Sequence, residues 1–137
     1  MTNPEQSTIK AIEALGPLGA KLNAESDDLN QIITTISEKL AALNLGIPVW
    51  TEGDEEPGTA RFGFAKVHEG GNSFWALATR LYYDGEPYQK EVPLTKVSRD
   101  LRICGLQEVP GIIDMLKCEA ERRLDAIAKA RKLAAEI

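Results

Sequence analysis

Apolar side chains recur at helical spacing near both ends of the chain and at strand spacing in the middle. Ser7 offers a cap for a short helix through Ile9, Ile12 and Leu15, which Gly16-Pro17 is expected to interrupt. This leaves residues 1–25 as a loose lead with one short helix. A second helix is predicted over 26–45. Ser26 or Asp27 would cap it, and Leu29, Ile32, Ile33, Ile36, Leu40 and Leu43 would form its buried stripe. Gly46 and Pro48 follow as stop signals.

From 47 to 97 the period changes to two. All eight aromatic residues lie between Trp50 and Tyr88, and the segments 47–52, 60–68, 72–83 and 88–97 read as strands. The links GDEEPGT, EGG and DGEP are short and rich in turn formers, so the strands should be antiparallel neighbours in a meander. Pro93 puts the last strand at an edge. In the third strand Trp75, Leu77, Thr79, Leu81 and Tyr83 point one way, and Phe74, Ala76, Ala78, Arg80 and Tyr82 the other. Neither row is polar enough to face water throughout. One face should pack on helices and the other on a second subunit, a further helix or a ligand.

Ser98 can cap a short helix, RDLRICGLQ, and Pro110 opens a long one. Its expected stripe is Ile113, Leu116, Ala120, Leu124 and Ile127. A helix over 110–136 would run about 40 Å, whereas a compact chain of this size has a radius of gyration of about 14 Å. Such a helix overhangs its own domain, which predicts a homo-oligomer, a dimer or higher. The whole reads as one α+β domain over 1–137. N-terminal helices lead into a sheet of three or four strands over 47–97, and C-terminal helices follow over 98–136.

Composition narrows the function. The 137 residues carry 16 basic and 21 acidic side chains, a net charge of −5, which argues against coating bulk nucleic acid. Residues 1–60 hold three basic and ten acidic side chains, so residues 61–137 are slightly basic. No apolar run approaches the ~20 residues of a membrane span, and the first residues lack a secretory pattern. Two cysteines cannot make a disulfide framework and fit a reducing cytoplasm. With one histidine, a Cys/His metal site is not expected, and no phosphate-loop, dinucleotide or hydrolase motif occurs. His68, in AKVHEGG, reads as a solvated strand-end residue. The run Asp54, Glu55 and Glu56 reads as a solvated loop.

One group of residues stands out chemically. Phe74 and Trp75 offer flat rings for a base, and Arg99 and Arg102, three apart on a helix, offer guanidinium groups for a ring face or a phosphate. Arg61 and Arg80 could add positive charge. The alternative is structural: a Phe-Trp pair in a strand usually includes a core residue, and the arginines could pair with Asp100, Glu108 or a partner's acids.

The order of elements, with FGFAKV and FWALATR in the sheet and SRDLRICGLQEVPGIIDML leading into the last helix, resembles a group of small phage and mobile-element proteins. Among them are the Thoeris anti-defence sponges. The likeness is one of organisation, over about 26–137, and rests on no short diagnostic motif. It implies a protein that is not an enzyme, needs no cofactor or metal, and works in the host bacterial cytoplasm. Such a protein sequesters a cyclic ADP-ribose isomer in a pocket at a subunit interface and releases it intact on denaturation. By that resemblance Trp75 or Phe74 would stack on the adenine, and Arg102 or Arg99 would be the cationic partner. Asn72 and Arg61 would be weaker polar contacts. Higher oligomers of that type also bind cyclic oligonucleotides elsewhere. A protein-interaction module docking on a host protein is the competing expectation.

Overall fold

The computed structural model describes residues 3–137; the first two residues of the polar lead lie outside it. Its elements run α1 (Pro4–Ala42), β1 (Val49–Trp50), β2 (Ala60–Glu69), β3 (Asn72–Tyr82), β4 (Gln89–Pro93), a 3-10 turn (Leu94–Lys96), α2 (Arg99–Gln107) and α3 (Val109–Ala135). The four strands form one antiparallel sheet in the order β1-β2-β3-β4. The α+β meander read from the sequence is present, with β4 at an edge as Pro93 required. The first expected strand shrinks to two paired residues, and the last stops at Pro93, where the chain turns into the 3-10 segment.

The N-terminal half departs from expectation. In place of a loose lead and a second helix there is one helix of 39 residues, with Pro17 inside it. Its cap is Asn3, whose Oδ1 accepts from the Gln6 amide at 2.7 Å, and Pro4 occupies the first turn, where no amide is needed. A proline removes one rung of the helical ladder at a cost of ~3 kcal/mol. Here the lost rung lies on an exposed stretch where water can reach the freed carbonyl, and the ladder resumes on the next turn. At about 100° per residue Pro17 also falls opposite the Ile12, Leu15, Leu22 stripe. Ser26 is therefore no cap. It is buried in mid-helix, its hydroxyl donating to the Leu22 carbonyl at 2.7 Å. The helix stops at Ala42, ahead of Asn44 and Gly46, both at positive φ.

The main core lies between the helices and one face of the sheet. Ile33 of α1, Leu94, and Val109, Ile112 and Leu116 of α3 enclose Phe64 and Leu77, which face each other across β2 and β3. Gly105 of α2 sits against Leu94; a Cβ there would come within 2.6 Å of the leucine. Two stripe assignments shift. On α3 the buried isoleucine is Ile112, not Ile113, because the arc facing the core begins at Val109. Leu124 and Ile127 are exposed because the helix outruns the core. On α1, Ile33 is buried, but Ile32 and Leu43 face solvent.

The opposite sheet face is lined by Gly63, Ala65, Val67, Ala76 and Ala78, and Trp50 packs over part of it. Gly63 is required there, since a Cβ would stand 2.1 Å from the Val49 carbonyl and 2.8 Å from the Trp50 ring. The Arg80 guanidinium lies 4.3 Å from the Trp50 ring centroid and pairs with Glu91 at 3.0 Å.

Candidate functional site

Strand β4 pairs with β3 only from Ala78 to Tyr82, so the first half of β3 has a free edge on that side. Helix α1 runs along this edge. The buried Ser37 hydroxyl accepts the Leu77 amide at 3.0 Å, taking the place of the strand partner that is missing there. By the alternation of an antiparallel ladder, the Trp75 backbone points to the same open side. Between helix and edge lies a cleft of about 400 Å3. Ile33, Thr34, Ser37, Glu38 and Ala41 wall it on the helix side, Phe74 to Leu77 on the strand side, and Pro93 with Thr95 close one end.

The two aromatics occupy different positions in this cleft. Trp75 is half-buried; its ring stacks on Phe64 at 5.6 Å between centroids and 29° between planes, and it packs on the main core. Phe74 is 39% exposed and stands opposite Val67. One ring is anchored and one is accessible. That answers the question the sequence left open, since the pair contains a core residue and a surface residue.

The arginines are elsewhere. The Arg102 guanidinium donates to the Ser26 carbonyl at 3.1 Å and to Asn30 Oδ1 at 2.9 Å, and Arg99 reaches the Ser26 hydroxyl at 3.5 Å. They do share a helix face, as their spacing predicted, and their partners are uncharged groups of α1, not Asp100 or Glu108. Ser26–Asn30 and Ile33–Ala41 are centred nine residues apart, about 14 Å at 1.5 Å per residue. Among the described residues no arginine or lysine lines the cleft. The expected meeting of Phe74 and Trp75 with Arg99 and Arg102 thus does not occur within one chain: the guanidiniums serve to fasten α2 onto α1.

The remaining candidates also lie apart. Arg61 donates through Nε to the Thr51 carbonyl at 2.6 Å and pairs with Glu55 at 3.4 Å, holding the β1–β2 loop. It stands directly opposite Arg80, on the sheet face away from the helices. Asn72 is exposed at the β2–β3 turn, paired in register with Glu69. His68 is exposed at the same end, with Nδ1 2.6 Å from Ser73 Oγ. Cys104 and Cys118 are free thiols on the surface. No helix among the described residues is long and apolar enough to cross a membrane.

Sequence reasoning missed Ser37, Glu38 and Thr34, which form the cleft's other wall. A serine inside the apolar stripe of a helix was the available signal, and its meaning depends on where β4 stops. Comparisons of the chain with family models, curated proteins and solved structures find no match.

Proposed function

We propose that this chain works by holding a ligand, not transforming it, and that the ligand is a cyclic nucleotide of the cyclic ADP-ribose type kept away from its receptor. The observation that supports this reading is the cleft on the β3 edge. Its volume suits a small ligand. It offers one fixed ring, Trp75, and one accessible ring, Phe74, beside aliphatic walls that accept a flat base. Stacking of a base on an aromatic side chain is worth ~1–3 kcal/mol. Thr34, Ser37 and Thr95 supply hydroxyls at its margin. The phosphates need cations that the cleft lacks, so a second copy of the chain would have to bring them.

The test is to incubate the protein with cyclic ADP-ribose isomers, filter, then heat the retained fraction and analyse what is released. Depletion with recovery of unchanged ligand, lost in Phe74→Ala, is the expected result. A new product would make the protein an enzyme.

A second reading, a docking module for a host protein, is favoured by the same free edge. An extended peptide could add to β3 beside Trp75 by backbone hydrogen bonds, with its side chains in the apolar cleft and a basic group near Glu38. An undepleted nucleotide pool would move the assignment to this module.

A further inference from the structure

Two stretches of helix stand outside the core with apolar faces uncovered. On α1 the stripe that is buried at Ile33 and partly buried at Ile36 and Leu40 continues toward the N-terminus at the same spacing of three and four. It passes through Leu22, Gly19, Leu15 and Ile12. Leu22 is 48% exposed, Leu15 59% and Ile12 61%. On α3 the stripe of Val109, Ile112 and Leu116 continues through Ala120, Leu124 and Ile127, and the last two are 66% and 49% exposed. The uncovered α1 arm, 4–25, is about 33 Å long and the uncovered α3 arm, 121–135, about 22 Å. Neither arm covers the other within the chain.

Their charges are opposite. Residues 5–28 hold five carboxylates and two lysines, a net of −3, and none of these groups forms an ion pair among the described residues. Residues 117–137 hold six basic and four acidic groups, a net of +2. Arg122 and Lys129 are satisfied by Glu119 and Asp125 on their own helix. Arg123, Arg131 and Lys132 have no acidic partner among the described residues. An α1 arm laid on another α1 arm would align like charges, and so would α3 on α3. Pairing α1 with α3 matches apolar stripe to apolar stripe and acid to base.

From this we infer that two copies of the chain associate through reciprocal arm exchange, the α1 arm of each lying on the α3 arm of the other. Two such contacts related by a two-fold axis use up both arms of both copies and close the assembly. The inference does not depend on what the cleft holds.

The experiment is site-directed cross-linking in the full-length chain with Cys104 and Cys118 replaced by serine. Leu15→Cys and Leu124→Cys variants are made separately and also expressed together, then treated with a flexible bis-maleimide. A covalent dimer is expected only in the co-expressed sample. A dimer band from either variant alone, or none from the mixture, overturns the proposed pairing. As an independent readout, Leu22→Asp should weaken association at least tenfold by sedimentation while the thermal transition, measured at a concentration where the parent is monomeric, stays in place. A parent chain that sediments as a monomer at all concentrations also overturns it.

Discussion

Helix α1 meets the rest of the protein in two places that use opposite means. At Ser26 and Asn30 it is gripped by Arg99 and Arg102 through hydrogen bonds from charged donors to neutral acceptors. Two turns further on, from Ile33 to Ala41, it faces aromatic and aliphatic side chains, and one polar bond, Ser37 to the Leu77 amide, fixes its position along the strand edge. The first contact spends one nitrogen of each guanidinium on the fold and leaves Arg102 Nε buried without a partner. The second is incomplete and leaves a cleft. Residue type alone therefore misleads about function: the arginines have the more ligand-like chemistry, but the available space is beside the aromatics.

This contrast can be broken by substitution. The largest effect is expected for Trp75→Ala, which removes the ring stacked on Phe64 and enlarges the cleft into the core; a loss of about 3 kcal/mol in denaturant unfolding should result. A loss below 1 kcal/mol would mean that Trp75 is a surface residue. Arg102→Ala should cost about 2 kcal/mol, since it breaks two charge-assisted bonds and strips Asn30 of its partner. If the fold instead keeps its stability while nucleotide capture disappears, the arginine belongs to the ligand site after all. Ser37→Ala leaves the Leu77 amide without a partner and should cost about 1 kcal/mol, with faster amide exchange at Leu77 as a local readout. The smallest stability change, about 0.5 kcal/mol, belongs to Phe74→Ala, because that ring is the more exposed of the two and packs on no core cluster. Ligand retention should respond in the reverse sense, falling more for Phe74→Ala than for Arg102→Ala.

The middle of the fold was the most legible part of the sequence. Period-two alternation and short turn-rich links are local signals, and they placed β2 and β3 within a residue of their observed limits. Ser98 was identified as the cap of α2, and its hydroxyl does accept the Leu101 amide. The ends of the fold were less legible because helices tolerate local defects when the ladder on either side is long. Gly16-Pro17 looked like a boundary and is an interior feature. On α3 one member of the expected stripe, Ile113, gives way to Ile112, because the arc facing the core begins at Val109, ahead of Pro110, while Leu116 and Ala120 keep their places. Both aromatics of the candidate site were found from the sequence. Its helical wall was not, since Ser37 acquires its role only where β4 ends, and no local pattern encodes that.

The two tryptophans sit on opposite sides of the sheet, Trp50 beneath the Arg80 guanidinium and Trp75 at the cleft. Each indole is thus a separate optical reporter. With Trp50 replaced by phenylalanine, the tryptophan emission, excited beyond the tyrosine band, comes from Trp75 alone and changes when a molecule enters beside it. With Trp75 replaced instead, the signal follows the integrity of the far side of the sheet and should ignore such entry. One pair of variants would then distinguish occupancy from unfolding in the same titration.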